Sequence, residues 1–66
     1  MNDEAQLYYA AQACLLELDH RGVASEKLLE MLRERMDGLW LRMSDEERSH
    51  SRQLAEDLLK KFEAGP

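Results

Sequence analysis

Two Glu-x-x-His pairs contain the residues best suited to chemistry: Glu17 with His20, and Glu47 with His50. Residues three apart share a helix face, and carboxylate-bridged di-metal bundles take two ligands from each such pair. The first pair lies at the C-terminal end of the first helix, and the second pair lies at the N-terminal end of the third helix. In an up-down-up bundle these two helices are parallel, so a monomer holds the two pairs at opposite ends of the bundle. We therefore predict no metal and no cofactor, and interpret both histidines as solvated residues near helix termini.

Nucleophilic catalysis has little support in the sequence. His20 and Ser25 are close together, but both are suited to capping helix ends. His50 lies between Ser49 and Ser51 on a polar helix start that offers no third group to orient the imidazole. We predict no catalytic residue and no enzymatic activity.

The elements that position these residues follow from apolar spacing. A heptad runs through the second segment, and two flanking segments repeat its 3-4 spacing; its members are Leu29, Leu32, Met36, Leu39 and Met43. The pattern predicts an all-α fold, a small three-helix bundle forming a single domain over residues 1–66, with helices at about 2–21, 26–43 and 45–63.

Capping residues predict the connections. Gly22 is placed as a left-handed C-cap and Ser25 as an N-cap, so the first two helices should form an antiparallel hairpin. The apolar phase does not slip across Gly38, so the second helix should continue through it. Ser44 and Glu47 form a capping-box pattern, which predicts a sharp corner before the third helix.

The first helix carries two apolar stripes. We assign one to the core: Leu7, Ala11, Cys14, Leu15 and Leu18. The second lies far around the helix and should have no partner within a three-helix monomer, which favours a homodimer; its members are Ala5, Tyr9, Gln12 and Leu16. Trp40 and Leu41 are a second candidate contact patch. Residues 45–53 of the third helix are polar all round and should project beyond the core or meet something else.

The composition of the chain argues against several classes of function. The 66 residues carry a formal charge of −5, which argues against nucleic-acid binding. A lone cysteine, Cys14, allows no intrachain disulfide, and neither a basic signal start nor an apolar span of about 20 residues is present, so we expect a cytoplasmic protein without membrane contact. We predict a non-enzymatic protein–protein interaction module, a homodimeric accessory, adaptor or inhibitor protein that binds itself or a larger protein.

Two alternatives remain open. The Glu-x-x-His pairs could form a metal-binding carboxylate and histidine bundle if oligomerisation brought them together. Alternatively, the acidic chain could mimic nucleic acid and block a protein that binds it.

Overall fold

The chain folds into three α-helices in the computed structural model, which describes residues 3–65. They are α1 (Asp3–Arg21), α2 (Glu26–Trp40) and α3 (Asp45–Ala64). The all-α fold is confirmed, and the helix bounds lie within a few residues of those predicted. None of the helices described is long and apolar enough to cross a membrane.

The predicted caps define the helix ends. Gly22 takes a positive φ of 65°, and its N–H donates to the Leu18 carbonyl at 3.0 Å. The Ser25 hydroxyl accepts from the Leu28 N–H at 3.2 Å. A glycine is needed at position 22 because a side chain is strained at that φ. The connection between α1 and α2 is therefore fixed by local chemistry at both of its ends.

The corner between α2 and α3 is also as predicted. Ser44 accepts from the Glu47 N–H at 3.1 Å, and the Glu47 carboxylate accepts from the Ser44 N–H at 2.8 Å, which completes the capping box. Helix α2 continues through Gly38 but ends at Trp40, three residues before the predicted Met43. The chain tightens there because the Met43 N–H bonds to the Trp40 carbonyl, a spacing of three residues, which is one residue shorter than in an α-helix.

The central helix is α1, which packs against both of the others. The ring of Tyr8 lies 5.4 Å from that of Trp40, and Glu4 pairs with Arg42, so α2 is antiparallel to α1. Contacts of Tyr9 with Glu47 and of His20 with Phe62 show that α3 runs parallel to α1. The up-down-up topology predicted from the sequence is therefore present.

The core is small and differs from the predicted one. Its buried apolar residues are Ala5, Leu29, Met36 and Met43. Cys14 and Leu7, both predicted to be core, are exposed. The prediction was wrong because α1 must serve two neighbours: α3 occupies one stripe, which rotates the α2-facing stripe away from these two residues.

Candidate interaction surfaces

The second stripe of α1 forms the junction with α3. We call Ala5, Tyr9, Gln12 and Leu16 the α1–α3 seam. Ala5 is 1% exposed. The Tyr9 hydroxyl donates to the Glu47 carbonyl at 3.2 Å, and its ring meets His50 edge-on at 5.2 Å. The premise that this stripe lacks a partner within the monomer is therefore wrong.

A buried polar pair lies at the middle of the seam. Gln12 Nε2 donates to the Ser51 carbonyl at 2.9 Å, and the Ser51 hydroxyl donates to Gln12 Oε1. Both residues are buried, and Ser51 is 2% exposed. Of the two predicted alternatives for the first half of α3, projection beyond the core is wrong, because this half meets α1. Hydrogen bonds replace the apolar contacts that periodicity detects.

The environment of Tyr9 favours its neutral form. Desolvation, and secondarily the negative charge of Glu47, raise the pKa of the Tyr9 hydroxyl above its usual range. The hydroxyl therefore remains protonated at neutral pH. It can act as the donor in the bond to α3 described above.

Leu16, the last seam residue, borders an open cleft of about 470 Å³ between α1 and α3. The lining residues are Leu16, Asp19, His20, Leu59, Phe62 and Glu63. Phe62 and Leu16 are half-buried, whereas Asp19, His20 and Glu63 are exposed. The imidazole of His20 stacks flat on Phe62 with ring centres 4.1 Å apart.

Trp40 and Leu41, which we call the corner patch, lie where α2 turns towards α3. Arg48 donates to the Trp40 carbonyl from Nε at 3.1 Å and from Nη2 at 2.9 Å. The guanidinium carbons of Arg48 and Arg52 lie 5.4 and 5.6 Å from the centre of the indole ring. Sequence reasoning missed this cluster because its cations come from another helix. Leu41 is 78% exposed beside it.

A larger apolar surface covers the side of the hairpin that faces away from α3. On α2, the buried residues Leu29 and Met36 form a row along the helix. Trp40 lies on one side of this row. Three leucines lie on the other side, roughly 80° to 120° around the helix from Trp40. On α1, Leu7 and Cys14 lie opposite the seam residues Tyr9 and Gln12. We call this surface the hairpin face; it consists of Leu7, Cys14, Leu28, Leu32 and Leu39.

The hairpin face is accessible in the monomer. Leu7 is 56% exposed and Leu28 is 42% exposed. Leu32 and Leu39 are half-buried, and Cys14 is exposed. Five apolar side chains on two adjacent helices thus share one surface that residues 3–65 leave at least partly exposed.

The two Glu-x-x-His pairs lie at opposite ends of the bundle, as predicted. His20 stacks on Phe62 near the end of α3, whereas His50 contacts Tyr9 near the start of α1. Glu17 pairs with Arg21 at 2.7 Å, and Glu47 caps α3. Within residues 3–65, no group of three or more potential ligands is placed to hold a metal ion.

Comparison with protein-family models, curated proteins and solved structures finds no match to this chain.

The total surface is large for the mass. The chain exposes 5108 Å², whereas a monomeric protein of 7.7 kDa exposes about 4,300 Å². Its radius of gyration is 12.2 Å, against about 10.8 Å expected for this length. The molecule measures 33 × 27 × 14 Å. It is therefore a flattened arrangement of helices rather than a rounded one.

Proposed function

We propose that this chain is a non-enzymatic protein–protein interaction module, a cytoplasmic accessory, adaptor or inhibitor protein whose contact surface is the hairpin face. The observation that carries the proposal is the uncovered apolar surface of α1 and α2, on a chain that exposes roughly 800 Å² more than its mass requires. Contiguous exposed apolar surface of this kind typically marks a contact with another protein.

The small core supports the same function. Leu29, Met36 and Met43 are the large apolar side chains buried among the described residues, whereas several others of similar size are exposed. A chain of this length has a thin stability margin, and a partner that covers exposed leucines would add to it. Binding would thus stabilise the fold as well as transmit a signal or block a site.

The α1–α3 seam, in contrast, is engaged within the molecule, so the proposal does not rely on it. The corner patch is smaller, and its indole ring is already covered by Tyr8 and two guanidinium groups. We therefore rank the hairpin face above the corner patch as the contact surface.

Photo-crosslinking in the native cell tests this function. A photoreactive amino acid at Leu7 should give discrete protein adducts, whereas the same residue at Leu59, a similarly exposed leucine on α3, should give few. The far-ultraviolet circular dichroism of both variants must match that of the natural chain. Absence of protein adducts from position 7, in a folded variant, would contradict the proposal.

A further inference from the structure

We propose that the occupant of the hairpin face is a second copy of this chain, so that α1 and α2 of two copies form a four-helix core. This inference rests on the proposed function, because it names the partner of the same surface. It differs from the dimer predicted from the sequence, which used the α1–α3 seam.

The exposed area fits a symmetric dimer. A stable interface removes about 800 Å² from each partner, and the chain exposes roughly that much more than a compact monomer of its mass. Two antiparallel helices with a shared apolar face are half of an antiparallel four-helix bundle. A second copy supplies the missing half with an identical face.

The charges at the edges select how the copies meet. Asp3, Glu17 and Arg21 lie along the outer edge of α1, next to the hairpin face, and Glu17 and Arg21 pair with each other. This edge therefore carries one net negative charge, whereas Arg35 gives the outer edge of α2 one positive charge. If α1 of one copy lies on α2 of the other, edges of opposite net charge meet, whereas α1 on α1 brings together edges of the same net charge.

The directions of the helices also fit the arrangement in which α1 of one copy lies on α2 of the other. A two-fold axis parallel to the helices places α1 over the partner's α2 with the two helices antiparallel. Every neighbouring pair in the resulting four-helix core is then antiparallel, which also opposes the helix dipoles. In that core Cys14 becomes buried, and α3 remains on the outside of each copy.

Sedimentation equilibrium of the natural chain and charged variants tests the proposal. The natural chain should associate between about 1 and 300 µM. Leu7→Glu and Leu28→Glu should each raise the dimer dissociation constant at least about 100-fold, because each places two charges in the apolar contact. Leu59→Glu, which changes a comparably exposed leucine on α3, should leave it unchanged.

Two results would overturn the proposal that a second copy covers the hairpin face. One is a natural chain that stays monomeric over this concentration range. The other is a dimer that Leu41→Glu dissociates and Leu7→Glu does not. In either case a crosslink from Leu7 to a protein of different mass would leave the proposed function standing. Adducts of twice 7.7 kDa support the copy.

Cys14 provides a readout that needs no variant. Its reaction rate with a thiol reagent should fall as protein concentration rises through the dissociation constant, because the dimer covers the sulfur. A rate that is independent of concentration, in a sample that sediments as a dimer, would place the interface elsewhere and overturn the proposal. This measurement decides the matter even if Leu7→Glu and Leu28→Glu fail to fold.

Discussion

Gln12 and Ser51 join α1 to α3 through two hydrogen bonds: the Gln12 amide donates to the Ser51 backbone carbonyl, and the Ser51 hydroxyl donates to Gln12 Oε1. The pair lies 39 residues apart in the chain and is shielded from water. Because the Gln12 amide reaches one particular backbone carbonyl, a shift of α3 by one residue would break both bonds. The pair therefore fixes the register of α3 along α1.

Removal of either partner should destabilise the fold. Gln12→Ala and Ser51→Ala should each lower the free energy of unfolding by about 1 to 3 kcal/mol, because the remaining polar group stays buried without a partner. The double variant should cost less than the two single costs combined. Urea unfolding measures all three, and Gln53→Ala on the exposed side of α3 is the control. Strict additivity would show that the two side chains do not act together.

The Tyr9 hydroxyl should make the α1–α3 contact sensitive to alkaline pH. A raised pKa in the folded state means that its contribution to stability is complete below the unfolded value of about 10 and is lost as pH rises through the folded value. Stability of the natural chain should therefore fall more steeply above pH 10 than that of Tyr9→Phe. Tyr8→Phe should retain the steep fall. Identical alkaline profiles for the natural chain and Tyr9→Phe would contradict the prediction.

The capping box at Ser44 should hold the start of α3. Ser44→Ala should cost about 1 kcal/mol of stability and speed hydrogen exchange at the amides of Asp45 to Glu47, because the Glu47 N–H loses its acceptor. Ser49→Ala, an exposed position in the same helix, is the matched control. Unchanged exchange in Ser44→Ala would mean that the corner is set by other contacts.

The residues of the α2 heptad differ in burial, so replacing them with alanine should destabilise the fold to different extents. Met36→Ala should lower the free energy of unfolding by about 2 to 5 kcal/mol, because it leaves a cavity at a buried site. Leu32→Ala, at a half-buried position on the hairpin face, should cost less when measured below the dimer dissociation constant. Denaturation of both variants at low and high protein concentration tests this order. Equal costs at low concentration would show that the heptad packs uniformly.

The sequence was sufficient for the helices and their ends because those depend on neighbouring residues. Gly22, Ser25 and Ser44 each form the predicted local bonds, and the uninterrupted phase across Gly38 correctly predicted a continuous helix. These interactions span three or four residues, a distance over which spacing and chemistry are directly readable.

The packing partners were harder to predict. Two stripes on α1 indicated a helix between neighbours, but spacing alone did not show that α3 fills the second stripe. Polar contacts such as Gln12 with Ser51 leave no trace in apolar periodicity, so the sequence did not show what the first half of α3 contacts. Cys14 was assigned to the core for the complementary reason: its type is commonly buried, but its helix is rotated by a contact elsewhere.

The central position of α1 has a consequence for synthesis of the chain. Helix α1 precedes both of its partners in the sequence, so its two stripes leave the ribosome before α2 and α3 can cover them. The α2 stripe is covered first, when the hairpin closes, and the seam remains open until α3 has emerged. Tyr9, Gln12 and Ser51 therefore meet only after α3 has emerged, and a nascent chain exposes in the meantime the surface that a chaperone or a second nascent chain would contact.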